Sequence, residues 1–335
     1  MNESQQHGIE LDNRLTHCER DRTCLIPTDR RNYMMLQRRV SRGQLVKPYP
    51  GMFARTAYWT GTDTDEQHRI IARTLQRLHP EWTFAGITAA CVWRLDHGRY
   101  LDRNAAIFVA AINHDVGMNQ TKQLRRQYLP RWEFGRTVVR DGVRVTGIVR
   151  TLFDCGRQYA FRDAMPFFDS AIRAGYVTRE ELVAAYDVPR LGRNQHKPRL
   201  LARYANGLSE NGGESFCYAT MMEEGAATPQ QQVEFTHPDD PRRTLRVDFC
   251  WTLDDGSIVV AEFDGARKYV DPKMVGSRTV GDVVAAERDR QELLQRCRVA
   301  RTVRMTFDDV WRRTPMMSKL SAAGIPMGYS RNLTS

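Results

Sequence analysis

Two β-branched, aromatic runs joined by a hairpin turn constrain this chain more than anything else in it. The first is Leu245-Arg-Val-Asp-Phe-Cys-Trp and the second Ser257-Ile-Val-Val-Ala-Glu-Phe-Asp-Gly. Between them Asp254-Asp255-Gly256 is hairpin chemistry, with the glycine free to take a positive φ. A three-residue loop centred on Asp255 pairs Leu253 with Ser257 and Trp251 with Val259, and therefore Asp248 with Glu262. Residues directly opposed in an antiparallel pair have Cβ atoms about 5 Å apart. Two carboxylates held that close repel unless something positive lies between them. A divalent cation is the economical answer, since Mg²⁺ is bound by one or two carboxylates together with water and phosphate. Strand alternation also sets Glu262 and Asp264 on one face, at the end of a strand apolar on both sides. Acids there need a partner, for which a metal and Lys268 are the candidates.

Length and composition bound the rest. A chain of 335 residues suggests two or three domains, and 41% hydrophobic with 27% charged residues describes an ordinary soluble globular protein. The seven cysteines, Cys18, Cys24, Cys91, Cys155, Cys217, Cys250 and Cys297, show no C-x-x-C spacing. They read as reduced thiols rather than a disulfide framework or a zinc site. The N-terminal residues have no apolar core for a signal peptide, and the longest apolar run, Ala105 to Ile112, is too short to span a bilayer. A cytoplasmic protein with no membrane partner is expected.

The positive charge is unevenly spread. Residues 1–209 carry 33 Lys and Arg against 21 Asp and Glu, whereas residues 210–312 carry 14 against 19. A basic surplus upstream of the carboxylate pair suits an upstream part that binds a polyanion, although an Arg-rich solvated surface produces the same census. Arg30 to Arg55 holds Arg30, Arg31, Arg38, Arg39, Arg42, Lys47 and Arg55 with no acidic residue. Tyr33 to Arg42 reads as a helix stopped by Gly43, followed by two short strands about a Pro50-Gly51 turn. Helix, glycine and small hairpin make the end of a winged helix, with Arg38, Arg39, Arg42 and Lys47 available to DNA phosphates.

The pattern along the chain is α/β (α+β). A winged-helix-like domain over 1–60 precedes a mixed α/β middle region over 61–205. A third unit over 210–312 reads α-β-β-β-α-β, and a tail runs from 313 to 335. In the middle, Glu66–Leu78 and Arg162–Ala174 read as amphipathic helices and Gly142–Val149 as a strand. Thr178-Arg-Glu-Glu caps a further helix, and Arg190–Leu208 reads as a linker or basic helical connector. In the third unit a helix begins near Glu214, Gln231–Thr236 is a strand, and His237–Arg243 is a polar turn.

A helix glutamate, a strand aspartate and a strand Glu-x-Asp in that frame resemble the PD-(D/E)XK nuclease superfamily, and within it the relatives of the very-short-patch repair endonucleases. The strings that carry this are Arg246-Val-Asp-Phe, Ala261-Glu-Phe-Asp-Gly and Lys268-Tyr269. The whole chain resembles actinobacterial proteins that join an N-terminal AbiEi-type antitoxin winged helix to such a domain; Thr146-Gly-Ile-Val-Arg-Thr-Leu-Phe-Asp is similar to a segment of theirs.

The resemblance implies a metal-dependent endonuclease, in a phage-defence or toxin–antitoxin setting, with DNA and a cognate toxin as partners. Asp248, Glu262 and Asp264 are then ligands for Mg²⁺ or Mn²⁺, Glu214 an outer carboxylate, and Lys268 the cation that stabilises the transition state. The superfamily usually has lysine two residues after the strand glutamate, and here that position is Asp264. Three other readings stay open. Asp248 and Glu262 can form a structural network with Lys268 and Arg246, Glu214 can serve the dipole of its own helix, and Asp264 can fix the Gly265 turn. An antitoxin-like regulator with a catalytically inactive nuclease fold is the alternative function.

Overall fold

The computed structural model describes residues 3–102, 106–112, 121–188, 195–265, 280–329, 331 and 333. The chain divides into two compact units, one running to Cys155 and the other starting at Gly156.

The first unit opens with helices α1 (Glu3–Arg20) and α2 (Arg30–Ser41), then a hairpin of β1 (Leu45–Val46) and β2 (Ala54–Arg55). Helix α2 starts where the Asp29 side chain accepts the Asn32 N–H at 2.8 Å. The hairpin pairs Leu45 with Arg55 and Val46 with Ala54. Gly51 takes φ +76 at its turn. A bridge between Leu25 and Phe53 adds a third strand position. Leu11 and Leu15, one turn apart on α1, pack with Leu25, Leu36, Leu45 and Phe53 into a core cluster.

Helices α3 (Thr56–Thr60), α4 (Thr64–Leu78), α5 (Gly86–Trp93) and α6 (Arg99–Asp102) follow. Strands β3 (Ile107–Ile112) and β4 (Leu124–Leu129) are parallel, and β5 (Thr137–Arg140) and β6 (Val143–Thr146) form a hairpin. Phe84 links the two pairs by bridging Val109 and Val145. Helix α7 (Ile148–Gln158) crosses into the second unit. The strand expected over Gly142–Val149 therefore ends at Thr146. Gly147 O accepts from Thr151 N at 2.9 Å, so the β-branched Ile148 and Val149 begin a helix.

Helix α4 carries an ion cluster, in which Glu66 accepts from Arg69 at 2.6 Å and Arg73 at 2.8 Å. Burial alone would raise the Glu66 pKa, but these two guanidiniums bring it below its ordinary 4.5. A carboxylate shifted down on folding contributes stability above its unfolded pKa and loses it as the pH falls through the folded value. Glu66→Gln should therefore cost about 2 kcal/mol in denaturant titrations at pH 7, and the difference from wild type should shrink as the pH drops below 4.5.

The second unit contains α8 (Phe161–Arg173), α9 (Arg179–Asp187), α10 (His196–Tyr204) and α11 (Gly212–Glu223), then β7 (Gln230–His237), β8 (Asp240–Thr252) and β9 (Ile258–Asp264). It closes with α12 (Val280–Arg296), β10 (Val299–Thr306), α13 (Phe307–Arg312) and α14 (Thr314–Ala322). The sheet runs β10-β9-β8-β7, with β10 parallel to β9 and the other neighbours antiparallel. Residues 212–306 thus have the expected α-β-β-β-α-β order. Strand β8 starts earlier than expected, because His237 pairs directly with Asp240 and the expected turn residues 240–243 join the hairpin. The tail holds α14. On the sheet, Val247, Cys250 and Val260 pack with Leu294 of α12 and with Val299.

A buried acid sets the approach to α11. Asp169 of α8 accepts from the backbone N–H groups of Asn206 and Gly207 at 2.9 and 3.0 Å. Gly207 has φ +70, and a Cβ there would lie 2.7 Å from the Ile172 side chain. Gly207→Ala should destabilise the unit by more than about 1 kcal/mol, read as a lower urea midpoint.

Candidate functional site

The β8–β9 register pairs Phe249 with Ala261, Cys250 with Val260, Trp251 with Val259 and Thr252 with Ile258. The paired register stops there, one residue short of Asp248 and Glu262. Asp248 does not pair with Glu262 in the ladder. Its Oδ2 accepts the Phe263 backbone N–H at 2.8 Å, so a side chain takes over from the ladder there. On the other side of β8, the Gln231–Phe249 and Val233–Val247 pairs flank Gln232 and Asp248. Gln232 has φ +54, a left-handed conformation rare for a residue with a side chain. Arg304 of β10 pairs with Glu262. Gln232, Asp248, Glu262 and Arg304 thus make a row of polar residues, one on each strand, in which Asp248 joins β9 through the Phe263 N–H and not through a ladder pair with Glu262.

Helix α11 joins this row from its N-terminus. Asn211 caps it, its Oδ1 accepting from Gly213 N and Glu214 N at 2.9 and 3.1 Å. Gly213 permits close approach to β9, since a Cβ there would lie 2.5 Å from the Phe263 ring. Glu214 is buried. It accepts from Glu210 N at 2.7 Å, Asn211 Nδ2 at 2.5 Å and Gln232 Nε2 at 2.9 Å. With three donors on its two oxygens, Glu214 ties α11 to Gln232 as an orienting group. One turn on, burial raises the Cys217 pKa well above its ordinary value, with the negative charges of Asp248 and Glu214 adding to the effect.

Glu262 is 8% exposed. Its Oε1 is ion-paired with the guanidinium of Arg290 on α12. Arg290 also donates to Arg246 O at 3.3 Å. Burial lowers the Arg290 pKa, the nearby Asp248 counteracting this and Arg304 reinforcing it; a guanidinium stays charged regardless. Nothing in helical periodicity marks Arg290, and only the packing of α12 reveals it.

Arg246 instead pairs with Glu210. Asp264 is half-buried at the end of β9. Lys268 and Tyr269 lie outside the described residues. Trp251 belongs to the core, donating its indole N–H to Ala227 O at 2.8 Å.

A divalent ion needs hard oxygen ligands, which Asp248 and Glu262 offer. Among the described residues no group of three or more His, Cys, Asp or Glu gathers as a metal cage. The residues fit the sparser arrangement typical of Mg²⁺, with one or two protein carboxylates and the remaining positions left to water and phosphate.

In the first unit, Arg38 and Arg42 are solvent-accessible on or just after α2, and Met34 is 48% exposed one turn before Arg38. Lys47 lies on the hairpin, its ammonium 5.6 Å from the Tyr33 ring centre. Arg39 turns inward and pairs with Asp12 of α1 at 2.8 Å. Arg55 ties to Glu19 at 2.8 Å. The basic run therefore splits into solvent-facing cations and cations that hold α1 to α2 and to the hairpin.

All seven cysteines are free thiols. Among the described residues no helix is long and apolar enough to cross a membrane. A scan against protein-family models finds no match, and a search of curated proteins finds none either.

Proposed function

We propose that this chain is a DNA-binding protein whose second unit is a metal-dependent phosphodiesterase of the PD-(D/E)XK kind, acting as an endonuclease. The observation that carries the reading is the row of Gln232, Asp248 and Glu262 across three adjacent strands, with Glu214 of α11 fastened to its first member. Asp248 and Glu262 would hold Mg²⁺ or Mn²⁺, and Asp264 lies two residues further along β9. When bound, the ion polarises the phosphate and acidifies an attacking water. Asp248 is aimed by the Phe263 N–H, and Glu214 and Gln232 fix the neighbouring backbone. Supercoiled plasmid incubated with the full chain and Mn²⁺ tests the reading: nicking that chelator stops supports it, and none at any metal concentration contradicts it.

The first unit would bring the duplex, through Arg38, Arg42 and Lys47. Replacing all three with Ala should weaken DNA binding and flatten its salt dependence, by about 0.9 in log–log slope for each phosphate no longer neutralised. Arg39→Ala should lower stability and leave that slope unchanged, because its guanidinium is committed to Asp12. An unchanged slope in the triple variant would move the DNA-binding surface elsewhere.

The Arg290–Glu262 pair favours a second reading. Here the built-in cation neutralises a retired site, and the chain works as an antitoxin-like regulator, with a cognate toxin as its other partner.

A further inference from the structure

The second unit has a surplus cation where its proposed chemistry lacks one. Two residues after Glu262 the chain carries Asp264, an acid, in place of the lysine expected to meet the phosphate. Arg290 reaches the same carboxylate from α12. Its side chain is 28% exposed, and its Nη2 is engaged by Glu262 and the Arg246 carbonyl. Arg304, opposite Glu262 on β10, adds positive potential along the row.

We infer that Arg290 is the phosphate-contacting cation of this site, and that in the metal-free chain it guards the site by occupying Glu262. The inference rests on the proposed metal-dependent reading and extends it. A planar guanidinium suits both states, because its fork fits a carboxylate and a phosphate with the same geometry. Arg290 gives up Glu262 to a divalent ion and turns its fork onto a phosphate oxygen. The two ligands of Glu262 are therefore mutually exclusive, and removing the guanidinium has opposite effects on metal and on phosphate. A residue that merely braces α12 would weaken both or neither.

The test is calorimetry on the full chain with Mn²⁺ alone, followed by inorganic phosphate titrated into the Mn²⁺-saturated protein. An opposite charge at this range shifts a carboxylate by about one to three pKa units, so Arg290→Gln should bind Mn²⁺ about tenfold tighter than wild type or more. It should bind phosphate more weakly than wild type. Arg290→Lys, which keeps the charge but lacks the planar fork, should fall between them for Mn²⁺, and it decides the question if the Gln variant does not fold. Mn²⁺ bound no more tightly by either variant overturns the guarding role, and equal phosphate binding overturns the phosphate role. If neither wild type nor variants bind Mn²⁺, the metal site itself fails, and this role with it.

Discussion

Asp248→Ala and Glu262→Ala should each lower Mn²⁺-dependent nicking by about 10²–10³-fold or more, with DNA affinity largely intact. A bound ion supplies several kcal/mol of transition-state charge stabilisation, and each 1.36 kcal/mol is worth about tenfold in rate. DNA affinity survives because the proposed phosphate-binding residues, Arg38, Arg42 and Lys47, belong to the first unit. The two variants should differ in stability. Glu262→Ala strands Arg290 partly buried, whereas Asp248→Ala frees the Phe263 N–H. Glu214→Gln should be milder than either, since an amide oxygen can still accept part of what the Glu210, Asn211 and Gln232 donors offer. Unimpaired nicking by Asp248→Ala or Glu262→Ala would remove these residues from the chemistry.

The largest stability effect should come from Arg150 on α7. Its guanidinium lies between Glu133 at 2.7 Å and Asp154 at 2.8 Å, and the three side chains are 6%, 6% and 0% exposed. Gln127 Nε2 completes the cluster by donating to Asp154 at 2.9 Å. Burial works against the Arg150 charge, but Asp154 and Glu133 more than offset it and hold its pKa above the ordinary value. Burial raises the Glu133 pKa even with Arg150 beside it. Arg150→Ala leaves two buried acids without their counter-charge and should cost about 3–5 kcal/mol in urea titrations at pH 7. An acid whose folded pKa is raised is relieved by protonation, so the cost should shrink as the pH falls towards the raised Glu133 value. A loss below about 1 kcal/mol, independent of pH, would mean that water reaches the cluster.

The hairpin was legible because its constraints are local. Period-two alternation, an Asp-Asp-Gly turn and a glycine at φ +79 leave one register, which holds from Thr252–Ile258 to Phe249–Ala261 and stops one residue short of Asp248 and Glu262. The α-β-β-β-α-β order was legible for the same reason, each apolar run being bounded by turn residues. Ile148 and Val149 misled because β-branched residues favour strands in general, while a backbone hydrogen bond to Gly147 starts α7 there. Residues 240–243 misled in the opposite direction. Pro241, Arg242 and Arg243 lack apolar alternation because that end of the β7–β8 hairpin is mostly exposed.

The site was legible only in part. Its acids announced themselves by standing in apolar strands, but its other members did not. Gln232 matters through a left-handed backbone and a hydrogen bond to Glu214, neither of which a residue type signals. Arg290 lies 28 residues beyond Glu262 on an arginine-containing helix, and only its ion pair sets it apart. Arg39 and Arg38 are adjacent in sequence, yet α2 turns one towards Asp12 and the other towards solvent.

Calorimetric titration of Mn²⁺ into the wild type and an Asp248→Asn/Glu262→Gln double variant tests the central claim most directly. Saturable binding by the wild type that the isosteric variant loses, with its melting curve otherwise preserved, is the predicted result. Equal binding by both, or none by the wild type with DNA present, would contradict a metal site on this carboxylate pair and leave the regulator reading in its place.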